Sequence, residues 1–259
     1  LPNILFPAFG YLYYWLLKED HYSLQGPFLA NLYEDLRNYI EYRKKDDLEI
    51  EGFRKKLLQN HTLIPVDDFG AGSKKVPQRE REISAITRYS TSGRKFAQLY
   101  QFFASKTPAK VLIELGTCLG ITTRYLSQVT LGKLATFEGS HSIQEVAKAG
   151  FKKKNTEFVL GKIQDTLPAF LEKNPIVDFA LVDATHTFEA TMYYFEMLLP
   201  HLHSKSILVI ADIYWSREMY LAWKTIIARP EVRLSLDFYE CGVVFFDFPG
   251  EKTHRILDY

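Results

Sequence analysis

From Lys110 onward the chain alternates short apolar runs with amphipathic ones, and this alternation constrains the fold more than any other feature. The runs "KVLIEL", "KLATFE", "TEFVLG", "VDFALVD" and "SILVIAD" have the length and the β-branched and aromatic content of buried strands. Between them, "GITTRYLSQV", "SIQEVAKAGF", "IQDTLPAFLEK" and "FEATMYYFEMLLPHL" read as helices, and "REMYLAWKTIIA" follows the fifth strand as another. Apolar strands separated by helices form a parallel sheet covered on both faces. Two further runs, "EVRLSLDFY" and "GVVFFDF", are joined only by "ECG", which predicts a closing hairpin. The expected fold is a doubly wound α/β sheet of seven strands, mostly parallel with an antiparallel last strand.

A helical region precedes this sheet. In "FLANLYEDLRNYIEYRKK", Leu29, Leu32, Leu36 and Ile40 fall at helical spacing among charges. "REREISAITRYS" and "GRKFAQLYQFFASK" read as two more helices, with a loop-like stretch over 61–80 before them. We divide the chain into a region 1–95, supplying a lid, substrate contacts or dimer contacts, and a domain 96–259. The N-terminal "LPNILFPAFGYLYYWLLKED" is very apolar but is interrupted by Pro7 and Gly10 and ends at Lys18, short of the roughly 20 residues of a membrane span. It also lacks the basic leader and small-residue cleavage site of a secretory signal. We read it as a helix packed on something, such as the partner in a homodimer.

Composition excludes some partners. A net charge of +1 gives no field that would draw the chain to nucleic acid or an anionic membrane. The run Lys152, Lys153, Lys154 reads as a solvated helix end. Cys118 and Cys241 have no ligand spacing for zinc and form no disulfide framework, which suits a cytoplasmic protein.

Two glycine stretches compete as a cofactor loop. "VDDFGAGSKK" (66–75) opens no helix, and no strand ending in an acid follows it at the required distance. It reads as a linker turn or, in a sharper reading, a lid carrying Asp67, Asp68, Ser73 and Lys74. "ELGTCLG" sits between a strand and a helix, where open α/β sheets bind ligands. Gly116 permits a sharp turn, and Gly120 frees backbone amides at the helix start. Glu138 ends the next strand 22 residues after Gly116, about the spacing at which a carboxylate meets ribose hydroxyls. The middle glycine of a dinucleotide fingerprint is absent, which argues against NAD or FAD. Glu114, two residues ahead of Gly116, suits a ligand with a cationic amino-acid part.

"VLIELGTCLGITTRYL", "TFEG", "DFALVDATHTFEAT" and "ILVIADIYW" together resemble a class I S-adenosylmethionine-dependent methyltransferase of the O-methyltransferase-like group. The resemblance covers roughly residues 95–248 and implies a Rossmann-like fold. "HYSLQGPF" (His21–Phe28) and "DFGAGSK" are also similar to segments of an uncharacterised bacterial subgroup. By position, the resemblance implies that Glu114, Gly116, Thr117 and Gly120 form the first motif for S-adenosylmethionine, and that Glu138 and Gly139 receive its ribose. Gly161 and Gln164 stand where adenine is held, with no acid directly after Gly161. Asp183 faces the transferred methyl.

A hydroxyl acceptor needs a base or a cation to release its proton. Asp183 and Asp212 end neighbouring strands and should share one crevice with His186, a candidate base or loop brace. Metal-dependent O-methyltransferases have Asn where this chain has Ile213, leaving Asp183 and Asp212 to hold Mg2+ with water. In the alternative without metal, Asp212 caps a helix starting near Trp215. Tyr214 and Trp215 are expected to wall the substrate. Tyr193 and Tyr194 are placed in the core or at the surface, and His201 and His203 at a helix end. These residues point to O-methylation of a small molecule. A fold that binds the cofactor without catalysis, or another transferase such as an aminopropyltransferase, remains an alternative reading.

Overall fold

The computed structural model describes residues 5–24, 26–43, 46–67 and 78–259. Three helices come first: α1 (Phe6–Leu17), α2 (Pro27–Arg43) and α3 (Leu48–Leu58). Two short antiparallel strands depart from the expectation: β1 (Leu63–Pro65) in the loop-like stretch and β2 (Glu80–Glu82) at the start of the run read as a helix. Their charged and Pro-containing sequences carry no strand pattern, so only the pairing shows them. α4 (Ile83–Ser90) and α5 (Arg94–Ser105) lead into the sheet.

The alternation then unfolds as expected. It runs through β3 (Val111–Leu115), α6 (Ile121–Val129), β4 (Lys133–Glu138), α7 (His141–Lys148), β5 (Thr156–Leu160) and α8 (Ile163–Lys173). β6 (Val177–Val182), α9 (Phe188–Leu198), β7 (Leu202–Ala211) and α10 (Arg217–Ala228) continue it. β8 (Leu234–Asp237) and β9 (Cys241–Phe245) form the hairpin, and β10 (Thr253–Ile256) follows. The strands lie in the order β10-β8-β9-β7-β6-β3-β4-β5, with β9 antiparallel to both its neighbours. The sheet therefore has eight strands rather than seven. β10 adds in parallel to β8 at the edge, and its half-exposed "THRI" lacks the apolar signature of the other strands. All six residues of β6 are buried, as a central strand covered on both faces must be.

The chain reverses direction across the sheet between β3 and β6. That switch point is where the carboxyl ends of the strands open a crevice. The N-terminal helices are fastened around it. Asp47, 2% exposed at the start of α3, accepts hydrogen bonds from Arg94 (2.6 and 2.8 Å), Gln98 (2.8 Å) and the Tyr125 hydroxyl (2.7 Å). These tie α3 to α5 and α6. The segment after α1 is bound to the strand end at β10. Glu19 pairs with Leu257, Tyr14 donates to the Leu257 carbonyl (2.7 Å), Lys18 pairs with Asp258 (2.8 Å) and Tyr33 donates to the Asp258 carbonyl (2.6 Å). Among the described residues no helix is long and apolar enough to cross a membrane.

One buried acid under the hairpin gives a test of the fold's electrostatics. Asp237, 1% exposed, accepts from the Tyr214 hydroxyl (2.9 Å) and the Tyr239 amide (2.9 Å), and burial pushes its carboxyl up to about 6. An unfolded Asp titrates near ~3.9, so between these values the folded state holds the extra proton and its stability falls as pH rises. Asp237→Asn is expected to stabilise the protein by about 1–3 kcal/mol at pH 8 and by little at pH 4. Urea unfolding at the two pH values checks this; equal effects at both would show that the carboxyl is ionised throughout.

Candidate active site

A cavity of about 450 Å3 opens at the carboxyl ends of β3, β4, β6 and β7. One half is built by the turns after β3, β4 and β5. Gly116 has φ 103°, and a Cβ there would collide with the Asp183 carbonyl, so only glycine lets the β3 and β6 turns meet this closely. Gly120 (φ 72°) starts α6 and abuts Ala147, the close packing expected of it. Glu138 stands at the cavity wall, and its carboxylate accepts from the amides of Cys118 (3.0 Å) and Ser140 (2.9 Å). Gly139, Gly161, Lys162, Ile163 and Gln164 continue the wall.

Two residues of the first motif lie elsewhere than at the wall. Glu114 is fully buried beneath the turn, where one carboxyl oxygen accepts from Thr123 and Thr136 (2.6 Å each). Its other oxygen has no partner, and burial pushes the carboxyl up to about 8. Outside the cavity lining, this acid braces the turn through the two threonine hydroxyls. Thr117, 2% exposed, joins the same cluster through Thr136 (2.5 Å). Glu114→Gln is thus expected to keep S-adenosylhomocysteine affinity within about threefold. Glu114→Ala, which strips both hydroxyls of their acceptor, should cost about 2–4 kcal/mol of stability. Calorimetry and thermal melts check the pair; a large affinity loss in the Gln variant would return Glu114 to direct cofactor contact.

The other half of the cavity holds the acid–imidazole group. Asp183, His186 and Asp212 converge, with ligand atoms all within 4.8 Å of one another. His186 Nε2 is 3.8 Å from Asp183 Oδ1 and 3.6 Å from Asp212 Oδ2. Thr185 (φ 67°), His186 (φ 50°) and Asp212 (φ 56°) adopt left-handed backbone, a strain characteristic of residues held for function. Burial and the Asp212 carboxylate push Asp183 up to about 6, against the opposing effects of His186 and of a hydrogen bond from Ser92 (3.4 Å). Asp212 caps no helix: α10 begins at Arg217, and Ser216 is its cap, accepting from Met219 (3.1 Å). Ile213 is fully buried in the core and is no ligand.

Trp215 lines the cavity beside His186, with ring centres 5.7 Å apart. Tyr214, expected at the same wall, turns into the core, where its hydroxyl meets Asp237. Tyr194 is fully buried yet reaches the cavity and contacts Thr185 (2.9 Å), whereas Tyr193 is on the outer side. His203 pairs with Asp178 (3.0 Å) and His201 with the Pro175 carbonyl, away from the site.

Residues 89–93 also line the cavity, and no motif marks them. Arg54 donates to Thr91 Oγ1 (3.3 Å) and the Ser92 carbonyl (2.9 Å), so α3 fixes this wall. The run "YSTSG" is small and hydroxyl-rich between two helices, the one signal that could have marked it. Val66, Asp67, Arg81, Tyr100 and Glu240 also line the cavity. Of the suspected lid, Asp67 reaches the cavity, while Asp68, Ser73 and Lys74 lie outside the described residues.

Residues 113–213 match the family model described as a methyltransferase domain. No curated protein matches the chain. Solved structures give the same fold at low identity. A provisionally named caffeoyl-CoA O-methyltransferase from Staphylococcus aureus is 13% identical, with 81% of this chain and 97% of that one covered and a TM-score of 0.56. A methyltransferase from Podospora anserina, bound to S-adenosylhomocysteine, is 17% identical over 61% of this chain and 80% of its own (TM-score 0.52). An O-methyltransferase of tomaymycin synthesis from Streptomyces achromogenes, in complex with S-adenosylmethionine, is 17% identical over 60% and 81% (TM-score 0.50). Residues 113–213 thus match a methyltransferase domain, and the chain has the Rossmann-like fold of solved S-adenosylmethionine-bound O-methyltransferases, to which it is similar.

Proposed function

We propose that this protein methylates a hydroxyl group of a small molecule with S-adenosylmethionine as donor. The observation that carries the reading is the meeting, in one cavity, of a ribose-type carboxylate site at Glu138 with the Asp183–His186–Asp212 group. The cofactor residues fit: Gly116, Glu138, Gly139 and Gly161 line a cavity half whose acid, Glu138, is already aimed by two backbone amides. When bound, the cofactor supplies an electrophilic methyl on a sulfonium whose leaving group departs neutral, so no acid is needed on that side.

The protein's tasks are alignment and proton removal. Holding the acceptor in line is worth up to ~7–11 kcal/mol. His186 Nε2 faces the cavity between two carboxylates, so it takes the hydroxyl proton and the acids stabilise the imidazolium. Trp215 and Tyr194 form an aromatic wall for the acceptor.

The same group fits a divalent cation. Its Nε2–Oδ distances of 3.6–3.8 Å are too long for hydrogen bonds, and the three ligand atoms lie within 4.8 Å of one another, with room for an ion between them. Asp183 and Asp212 would hold Mg2+, which would lower the pKa of the acceptor hydroxyl.

Calorimetry with S-adenosylmethionine and S-adenosylhomocysteine tests the cofactor, and turnover across a hydroxyl library tests the reaction. Binding of neither ligand sinks the reading and leaves the aminopropyltransferase alternative. Binding without methylation of any hydroxyl would point to a catalytically inactive binding protein.

A further inference from the structure

Among the described residues, the largest group of exposed apolar side chains is on α1. Its Phe6–Gly10–Tyr14–Lys18 stripe faces the protein, with Pro7 and Tyr11 touching Tyr239 at the edge, while the other sides are exposed. Phe9, Tyr11, Leu12, Tyr13, Trp15 and Leu16 are all 45–64% exposed, and the helix has no charged residue. Leu5 and Leu17 lengthen the patch, and Leu221 is exposed on α10, whose Tyr220 packs on Phe6. An aromatic side chain presents about 150–250 Å2, so these half-exposed side chains together offer on the order of 800 Å2. A typical monomer's largest patch is about 300–600 Å2, whereas a standard interface buries about 800 Å2 per partner.

We propose that α1 is the interface of a homodimer, in which the exposed face of one copy covers that of the other. Area is the first argument. Charge is the second: a helix lying in a lipid surface carries a basic patch of Lys and Arg on its polar face, and α1 has no charged residue. Lys18 is the one Lys or Arg between residues 5 and 24, and it is already paired with Asp258. A second copy requires no such patch.

The interface backs directly onto the active-site wall. Gly10 lies against the Tyr214 ring, where a Cβ would not fit. Tyr239 donates to the Pro7 carbonyl (2.9 Å), and its ring contacts Tyr11 (5.2 Å) and stacks on Tyr214 (5.2 Å, 21°). Tyr214 and Tyr239 directly neighbour Trp215 and Glu240, which line the cavity. Dimerisation therefore clamps the two loops that hold the acceptor, without touching the cofactor half.

Sedimentation equilibrium of the full chain tests this independently of the reaction. The wild type is expected at the mass of two chains at micromolar concentration. Leu12→Glu/Leu16→Glu should sediment as one chain while binding S-adenosylhomocysteine within about threefold of wild type, which shows that it is folded. If the double variant fails to fold, Leu16→Lys at the most exposed position should weaken dimerisation at least tenfold. A wild type of single-chain mass at tens of micromolar overturns the proposal, as does a folded double variant that stays dimeric. A single-chain wild type that floats with phosphatidylcholine vesicles overturns it in favour of a lipid surface.

Discussion

Replacing His186 with alanine is expected to lower turnover by about 10^2–10^4-fold, the usual share of a general base. S-adenosylhomocysteine affinity should stay within about threefold, because His186 lies in the acceptor half of the cavity with Asp183, Asp212 and Trp215. The loss should appear on every acceptor hydroxyl that the wild type methylates. Steady-state kinetics over pH 5–9, beside calorimetry, read both effects. A different result would reassign the proton. If the alanine variant keeps its rate, and EDTA abolishes it until Mg2+ is restored, the step belongs to a cation held by Asp183 and Asp212.

Glu138→Ala should weaken S-adenosylhomocysteine binding by roughly 100–1000-fold. Hydrogen bonds to a charged group are worth about 1.5–3 kcal/mol each, and a ribose offers two hydroxyls. The variant also releases the Cys118 and Ser140 amides that Glu138 anchors, so the turn after β3 loses its shape. Glu138→Gln keeps one acceptor oxygen and should lose about 10–30-fold. Calorimetry on variants whose melts confirm folding decides this. Wild-type affinity in the alanine variant would remove the ribose from this wall and with it the cofactor reading of that half.

The parallel sheet was legible because its central strands are buried on both faces and leave continuous apolar runs. β10 was not, since an edge strand needs no such pattern. In the site, Glu138, Asp183, His186 and Asp212 could be read from their places at strand ends. Glu114 lies beneath the turn and not at the cavity wall, which position alone does not reveal because a strand residue's orientation alternates. Tyr214 and Trp215 are adjacent, and one turns inward while the other faces the cavity, for the left-handed Asp212 reorients the loop between strand and helix. The Ser92 wall depends on Arg54 in a distant helix, a tertiary bond with no sequence signature.

The tie between α1–α2 and the residues after β10 bears on how the chain assembles. The partners of Tyr14, Lys18, Glu19 and Tyr33 lie about 220–240 positions away, at Ile256–Asp258. Such contacts close only after the intervening sheet has formed. During synthesis the apolar first helix must therefore wait, exposed, until nearly all the described chain has left the ribosome. That interval is when this sequence most needs a chaperone, and a truncation after Phe248 would remove the Leu257 and Asp258 partners of Tyr14, Lys18 and Tyr33.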